Sequence, residues 1–233
     1  MYTIDLHVHT AESSYCGRLS AWEIVKRYAE AGYQGIVITD HYNEGFFKRF
    51  PDMSWAEKVD QFLVGCCTAY TLGKRVGLDI YLGMEYRDTS CLNDYVILGL
   101  DERFLYQNPE LYLAGIEEAS KRFHEVGAFV DQAHPCRPGV CSLADPKVLD
   151  GMEVYNGSAQ WRYDRVEAKR LSTEHHLIPL SGSDTHLAEE VGHGGLILDN
   201  TISSAKHLIT EIRKSHYKLI ETDFVSSMPI RNA

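Results

Sequence analysis

The stretch that decides the fold lies at the start of the chain and reads Tyr2-Thr3-Ile4-Asp5-Leu6-His7-Val8-His9. Its apolar and polar residues alternate, which is typical of a β-strand with one buried face. Because side chains two residues apart share a face of a strand, we expect Asp5, His7 and His9 to lie together. Two imidazoles about 7 Å apart at a strand end can bind one cation such as Zn, Fe or Mn. Taken alone, the pair is equally consistent with hydrogen-bonded histidines of a protein interior.

Short apolar runs alternate with helical patterns along the rest of the chain. The first helix is predicted over Ala21–Ala31, because Ser20 and Glu23 form a capping box and Gly32 ends the pattern. The further predicted strands cover Gly35–Thr39, Leu78–Met84, Asp94–Leu100, Ala128–Gln132, Met152–Tyr155, Ile178–Ser181, Gly195–Leu198 and Lys218–Asp223, and the further predicted helices cover Trp55–Gly77, Pro109–Val126, Gln160–His176 and Ser203–Ser215. This alternation predicts an α/β fold with a largely parallel sheet. So many units in a short chain favour a compact TIM-like barrel over a doubly wound sheet.

The composition is that of an ordinary soluble domain, with 44% apolar and 24% charged residues in a chain of 233. At about 150 residues per domain, we expect a single domain over residues 1–233. No run approaches the roughly 18 apolar residues of a membrane span, and the first residues lack the regions of a secretory signal. The six cysteines form no CxxC pair, so we expect free thiols in a reducing cytoplasm.

The net charge of −10 restricts the partners that the protein can have. A surface of that sign repels phosphate backbones at long range, so nonspecific binding to nucleic acid or to an anionic membrane is not expected. The glycine-rich patterns that bind nucleotide phosphates are also absent from the sequence, which argues against a nucleotide-dependent activity.

Metal-binding side chains follow several predicted strands. The relevant segments are Thr39-Asp40-His41, Gly83-Met84-Glu85, Ala133-His134-Pro135 and Ser183-Asp184-Thr185-His186. Barrel enzymes build their active sites at the carboxyl ends of the strands, where these segments are expected to lie. Asp40 should face away from His41, and we expect it to orient a ligand or to cap a helix.

The candidate ligands outnumber those that one tetrahedral cation needs. There are seven of them: His7, His9, His41, Glu85, His134, Asp184 and His186. Two or three metals that share a bridging carboxylate account for this number. Paired metals about 4 Å apart serve the hydrolysis of phosphate esters, and they make hydroxide available at neutral pH by lowering the pKa of bound water.

Together, these motifs resemble those of the PHP (polymerase and histidinol phosphatase) family of metal-dependent phosphoesterases. The patterns HxH, TDH, GxE, HP and SDxH appear in the family's order and cover most of the chain. The resemblance implies a distorted (βα)7 barrel and a cluster of two or three Mn, Zn or Fe ions. It also implies hydrolysis of a phosphoester on a small phosphorylated substrate, by a hydroxide that bridges the metals.

The resemblance further implies a role for each ligand. One metal would be held by His7, His9, Glu85 and Asp184. Glu85 would bridge to a second metal, which His134 also binds, and a third would be held by His41 and His186. The predicted catalytic residues are accordingly His134 and Asp184.

The chain departs from the family pattern in two places. Many members have a histidine after the fourth strand, where this chain has Gly99-Leu100-Asp101-Glu102, and Asp101 is a candidate oxygen ligand there. In the loop after HxH, where the family often has His or Asp, this chain has Ser13-Ser14-Tyr15-Cys16-Gly17. The sequence leaves open whether Tyr15 or Cys16 binds the third metal.

Fixed positive charge for a substrate anion is available in loops near the predicted cluster, at Arg18, Arg87 and Arg137. We predict that Arg137 and Arg18 bind substrate, with Arg137 placed best to bind two phosphate oxygens. Two other functions stay open. A metal-dependent amidohydrolase also carries HxH on its first strand, although here no lysine stands at a strand end. An inactive metal-binding regulatory module would retain the same ligands.

Overall fold

The computed structural model describes residues 1–158 and 163–222. The strands are β1 (Tyr2–Val8), β2 (Gly35–Ile38), β3 (His41–Tyr42), β4 (Asp79–Tyr86), β5 (Tyr95–Leu98), β6 (Phe129–Gln132), β7 (Gly151–Asn156), β8 (Ile178–Gly182), β9 (Gly194–Leu198) and β10 (Tyr217–Glu221). The helices are α1 (Ala21–Glu30), α2 (Glu44–Phe47), α3 (Trp55–Val76), α4 (Glu102–Gln107), α5 (Ile116–Glu125), α6 (Arg165–Glu174) and α7 (Ala205–Arg213). Within these described ranges, no helix has the length and apolar character needed to cross a membrane.

The strands form one sheet in the order β10-β9-β1-β2-β4-β5-β6-β7-β8, and the short strand β3 pairs with β4. Strand β5 is antiparallel to its neighbours β4 and β6, and β9 is antiparallel to β1 and β10. The other strand pairs are parallel. The predicted α/β fold with a largely parallel sheet is therefore confirmed.

The sheet curls into a nearly closed, TIM-like barrel, as predicted. The two ends of the strand order, β8 and β10, lie side by side, and the Ser181 hydroxyl donates a 2.6 Å hydrogen bond to the Ile220 carbonyl. The segment after β8 also pairs with β1, where the His9 amide donates to the Thr185 carbonyl at 3.2 Å. These contacts bring the carboxyl ends of β1 and β8, which carry candidate ligands, next to each other.

Apolar side chains fill the barrel and cover its outer face. One cluster joins strands from opposite sides of the barrel and includes Ile4, Val37, Val96 and Phe129. A second cluster packs α1 and α3 against the outer face of β1 and β2. Each fully buried apolar side chain of this size contributes roughly 1.5–3 kcal/mol, so the ligand-bearing strands are held by a well-packed scaffold.

The predicted helix over Pro109–Val126 is wrong in its first half. Helix α5 begins only at Ile116, after a 3₁₀ turn. Glu110 and Gly115 have φ values of 51° and 73°, and this left-handed backbone interrupts the helix. The predicted strands agree with the observed ones to within one or two residues. Gln160 and Asp223, two predicted element ends, lie outside the described residues.

The register of β1 shifts between Asp5 and Val8, which separates Asp5 from the two histidines. The Asp5 carboxylate accepts hydrogen bonds from the Tyr28 hydroxyl on α1 at 2.8 Å and from the Ser183 amide at 3.0 Å. It therefore fastens α1 and the segment after β8 to β1. The expected grouping of Asp5 with His7 and His9 does not occur.

Candidate metal centre

The seven predicted ligands meet at one end of the barrel. They follow or end strands β1, β2, β4, β6 and β8, whose carboxyl ends share this edge because the strands run in the same direction. The exposed fraction of their side chains ranges from 0% for His9 to 16% for His41. The site is thus buried at its base and opens to solvent on the side of His41.

Four of these residues, His7, His9, Glu85 and Asp184, surround one point. Nε2 of His7 lies 3.5 Å from Oε1 of Glu85 and 3.5 Å from Oδ1 of Asp184. Nε2 of His9 lies 3.4 Å from Oε2 of Glu85 and 3.3 Å from Oδ1 of Asp184. These nitrogens and Oδ1 of Asp184 are buried without a hydrogen-bond partner among the described residues. Because an unsatisfied buried polar atom is costly, a cation that all four residues contact fits the site.

Hydrogen bonds behind the two imidazoles fix which nitrogen faces this point. Nδ1 of His7 lies 3.0 Å from Oε1 of Glu153, and because a carboxylate only accepts, Nδ1 carries the proton. The Ser14 hydroxyl donates to Asp40 at 2.7 Å, so its oxygen accepts the Nδ1 proton of His9 at 3.2 Å. Each Nε2 is therefore the nitrogen that a metal would bind. Asp40 thus orients a candidate ligand, as predicted.

A second group lies on the other side of Glu85 and consists of Glu85, His134 and Asp94. Nε2 of His134 is 3.0 Å from Oε1 of Glu85 and 3.8 Å from Oδ2 of Asp94. Both carboxylate oxygens of Asp94 also accept hydrogen bonds from the guanidinium of Arg87. Glu85 contacts both groups, which is the position that a bridging carboxylate would need.

Asp94 is not among the predicted ligands, and the direction of β5 explains why. Because β5 is antiparallel to β4 and β6, its amino end, just after Asp94, lies at the same edge as their carboxyl ends. Asp101 follows the other end of β5 and caps α4 by accepting a 3.0 Å hydrogen bond from the Phe104 amide. The sequence left open whether Asp101 binds a metal, and the structure places it at the opposite end of the strand, where it caps α4.

A third group, beside His9, consists of His41, His186 and Cys16. The ring centroid of His9 is 4.5 Å from that of His41 and 4.3 Å from that of His186. Nδ1 of His41 lies 2.6 Å from Oε2 of Glu85, and its Nε2 lies 3.0 Å from Sγ of Cys16. Burial opposes ionisation of the Cys16 thiol, but its contacts with His186 and His41 lower its pKa to about 6.

The charges in the centre depend on one another. Burial by itself would raise the pKa of Glu85 and Asp184, but the neighbouring histidines hold the pKa of both carboxyls well below the usual range. Burial opposes protonation of His134 and His186. Contacts with Cys141 and Glu85 nevertheless raise the pKa of His134 to about 9. The negative charge of Asp184 raises the pKa of His186 to about 9 as well. Buried carboxylates here thus require nearby positive charge, which protons or metal ions can supply.

Two of the candidate ligands have a left-handed backbone. The φ values of His134 and Asp184 are 31° and 53°. Such a conformation costs a residue other than glycine roughly 1–3 kcal/mol, and it occurs preferentially at functional sites. In both cases it directs the side chain into the centre just after a strand ends.

A cavity of about 190 Å³ opens above the centre. Besides candidate ligands from all three groups, Tyr15, Asn43, Arg87 and Arg137 line it. The side chain of Arg137 is 13% exposed, and its Nη2 lies 3.2 Å from Oδ2 of Asp184. Arg137 therefore presents fixed positive charge directly beside the candidate ligands.

Arg18, the other predicted substrate-binding residue, is not among the residues that line this cavity, and its side chain is exposed. Its amide donates a 2.9 Å hydrogen bond to the His186 carbonyl, which fastens the loop after β1 to the third group. The second guanidinium at the cavity belongs to Arg87, which is paired with Asp94.

Glu153 is a further residue that the sequence analysis missed. Besides its contact with His7, its carboxylate accepts hydrogen bonds from the His134 amide at 2.8 Å and from the Asn156 side chain at 2.9 Å. It therefore positions ligands of two groups at once. A signal was present, since Glu153 is an acidic residue inside an otherwise apolar predicted strand.

A family model described as the PHP domain matches residues 5–221 of the chain. No curated protein sequence shows a significant match. The chain is also similar to several solved structures. One is a two-domain protein from Bacteroides vulgatus that contains a predicted PHP-like metal-dependent phosphoesterase; identity is 17%, the TM-score is 0.65, and the alignment covers 94% of this chain and 64% of that one. This chain therefore spans less than two thirds of that protein.

Two further solved structures are matched along nearly their whole length. PsfC from Pseudomonas syringae is 16% identical with a TM-score of 0.62, and the alignment covers 95% of this chain and 92% of PsfC. An amidohydrolase from Chromobacterium violaceum, solved with bound sulfate and no metal, is 16% identical with a TM-score of 0.54. That alignment covers 94% of this chain and 98% of the amidohydrolase. At these identities the similarity establishes the fold.

Proposed function

Because this chain belongs to the PHP domain family, we propose that it is a metal-dependent phosphoesterase that hydrolyses a phosphate monoester of a small molecule. The cofactors are two or three divalent transition metals, Mn, Zn or Fe. The domain of the Bacteroides vulgatus protein described as a PHP-like metal-dependent phosphoesterase supports this proposal. The six cysteines are free, which is consistent with the reducing cytoplasm as its location.

One observation carries the proposal. Two imidazole nitrogens and two carboxylates, from His7, His9, Glu85 and Asp184, converge with donor atoms 3.3–3.5 Å apart. Several of these atoms are buried without a hydrogen-bond partner among the described residues. A purely structural histidine cluster would satisfy them with protein donors and acceptors. A metal ion satisfies them together.

The ligands divide among the metals as follows. The first metal would be held by His7, His9, Glu85 and Asp184, the second by Glu85, His134 and Asp94, and the third by His41 and His186. When bound, the metals supply a nucleophilic hydroxide at neutral pH and stabilise charge on the phosphate oxygens. Glu153 and Ser14 hold the imidazoles of His7 and His9 in the tautomer that ligation needs.

His134 and Asp184 are the proposed catalytic residues. Both line the cavity and both have the left-handed backbone that aims their side chains into it. Arg137 is the proposed phosphate-binding residue, because its guanidinium can form two parallel hydrogen bonds to phosphate oxygens. Its contact with Asp184 keeps it at the cavity wall before substrate arrives.

The cavity favours a small substrate. At about 190 Å³ it is smaller than the roughly 300–1,000 Å³ of typical ligand pockets. It therefore accommodates a phosphoryl group, and the rest of the substrate extends past Tyr15, which is 72% exposed at the cavity wall. The net charge of −10 disfavours a nucleic acid as substrate.

The proposal is tested by metal content and hydrolysis, measured on protein purified without chelators or a histidine tag. We expect two or three transition-metal atoms per chain and hydrolysis of p-nitrophenyl phosphate. Glu85→Gln and His134→Ala should each lose bound metal and lower the rate by at least about 100-fold, the scale of losing one charge-stabilising group. The matched control is Glu167→Gln on the exposed face of α6, which should retain both. Rates equal to wild type in both site variants would contradict the catalytic assignment.

The same measurements separate the alternatives. Hydrolysis of amide substrates with no phosphoester hydrolysis would favour an amidohydrolase, the description of the Chromobacterium violaceum neighbour. Bound metal without any hydrolysis would favour a regulatory module. Strong nuclease activity at physiological salt would overturn the argument from charge.

A further inference from the structure

Cys16 is held in a specific position beside the third group. It lies in the loop between β1 and α1, which is fastened on both sides of the cysteine. The Ser14 hydroxyl donates to Asp40 at 2.7 Å, and the Arg18 amide donates to the His186 carbonyl at 2.9 Å. The loop therefore cannot swing away from His186 without breaking these bonds.

The sulfur faces two imidazoles that have other partners on their far sides. Sγ of Cys16 lies 3.0 Å from Nε2 of His41, whose Nδ1 is engaged by Glu85 at 2.6 Å. Nδ1 of His186 lies 2.9 Å from the Asp184 carbonyl, which only accepts, so Nδ1 carries a proton and Nε2 is the nitrogen that remains for a metal. Cys16, His41 and His186 all line the cavity above the centre.

A third imidazole, that of His9, borders this group. His9 stacks on His186, with ring centroids 4.3 Å apart, and it is fully buried. Its Nε2, which has no hydrogen-bond partner within residues 1–158 and 163–222, faces Glu85 and Asp184 of the first group, so His9 lies between the two groups. Candidate ligand atoms of His9, His41 and His186 all lie within 4.8 Å of one another.

We propose that Cys16 is a ligand of the third metal, together with His41 and His186, and that its thiolate gives this position a preference for zinc or ferrous iron over manganese. Thiolate is a soft ligand that favours Zn and Fe, whereas Mn prefers carboxylate, carbonyl and water oxygens. On binding, the thiol releases its proton to solvent as the metal–sulfur bond forms, so charge and atoms balance. This inference rests on the proposed metal-dependent function and adds one donor to the third metal position.

The test is cobalt substitution of the full chain followed by absorption spectroscopy. A thiolate bound to Co²⁺ gives a near-ultraviolet charge-transfer band, which imidazole and carboxylate ligands do not give. We expect this band in the wild type and its loss in Cys16→Ser. In Cys16→His, which keeps a metal donor, we expect the band to be lost while the number of bound metals is retained. Zinc affinity of the third position should fall by at least about 10-fold in Cys16→Ser, and manganese affinity should change less.

Two other cysteines serve as matched controls. Cys141 also contacts a candidate ligand, with its Sγ 3.8 Å from Nδ1 of His134, and Cys67 is exposed on α3. Cys141→Ser and Cys67→Ser should both retain the cobalt band. Circular dichroism on every variant verifies that it is folded.

The outcomes distinguish this inference from the function on which it rests. Cobalt binding without a thiolate band, and with unchanged metal content in Cys16→Ser, would overturn the role of Cys16 and leave the phosphoesterase proposal intact. A band that survives in Cys16→Ser and disappears in Cys141→Ser would show that Cys141, beside His134, binds the cobalt. That result would also overturn the role of Cys16. If the wild type binds no metal at all, both proposals fail.

Discussion

Replacing Asp94 with asparagine tests whether the antiparallel direction of β5 builds the second metal position. The substitution removes one negative charge and keeps the shape of the side chain. In the structure, Oδ2 of Asp94 lies 3.8 Å from Nε2 of His134, and the carboxylate also pairs with Arg87. The amide retains one oxygen, but its NH₂ group faces either a metal or a guanidinium, and neither accepts a hydrogen bond.

The expected effect is on metal binding more than on folding. Residues that only orient a ligand already change metal affinity by about 10–100-fold, so loss of a ligand should weaken the second position by at least about 100-fold. Arg87 has a side chain that is 33% exposed, and water can therefore solvate its charge when the pair is lost. We expect a loss of folding stability of no more than about 1–2 kcal/mol.

The matched control is Asp101→Asn, the same chemical change at the other end of β5. Asparagine caps a helix about as well as aspartate, so the cap on Phe104 should survive with little change in stability. Metal content after dialysis and calorimetric titration with zinc or manganese measure the outcome. We expect Asp94→Asn to bind one metal fewer per chain and Asp101→Asn to bind the wild-type number. Equal metal loss in the two variants, or none in Asp94→Asn, would refute the reasoning.

Three further predictions follow from the surroundings of the centre. Glu153→Gln should lower metal affinity by about 10–100-fold, because the amide no longer fixes the His7 tautomer; titration calorimetry giving the wild-type affinity would contradict this. In Gly182→Ala the new Cβ would lie 2.5 Å from Cβ of His7, so we expect a lower free energy of unfolding in urea and weaker metal binding. An unchanged free energy of unfolding and unchanged metal affinity would show that β8 can move away from His7. The metal-free protein has His134 and His186 with pKa values raised to about 9, and metals need neutral imidazoles, so metal affinity should rise with pH up to about 9. The protons on His134 and His186 also stabilise the metal-free fold, by at most about 3 kcal/mol each. This stabilisation is complete below about pH 6.5 and is lost as the pH rises toward 9. A thermal unfolding temperature that does not change over this pH range would contradict the raised pKa values.

The parts of this protein that depend on neighbouring residues could be predicted from the sequence. Strand β1 itself and the capping box of Ser20 and Glu23 both appear in the structure as expected. The seven candidate ligands could be found because each lies within or a few residues after an apolar run, which is a local feature. Their meeting at one edge followed from the parallel direction of most strands, which the alternation of strands and helices predicts.

The tertiary structure alone decided the features that depend on pairing between distant segments. The direction of β5 depends on which strands it pairs with, and that direction brings Asp94 into the site and places Asp101 at the far end. Glu153 reaches His7 across 146 residues of chain; its place in an apolar strand marks it as unusual, but only the fold shows which residue it contacts. In the same way, Arg137 lines the cavity and contacts Asp184, whereas Arg18 lies outside the cavity lining and its amide is bonded to the His186 carbonyl. Local propensity and periodicity are set by adjacent residues, whereas the second layer of a site is set by how the whole barrel closes, and only the folded chain contains that information.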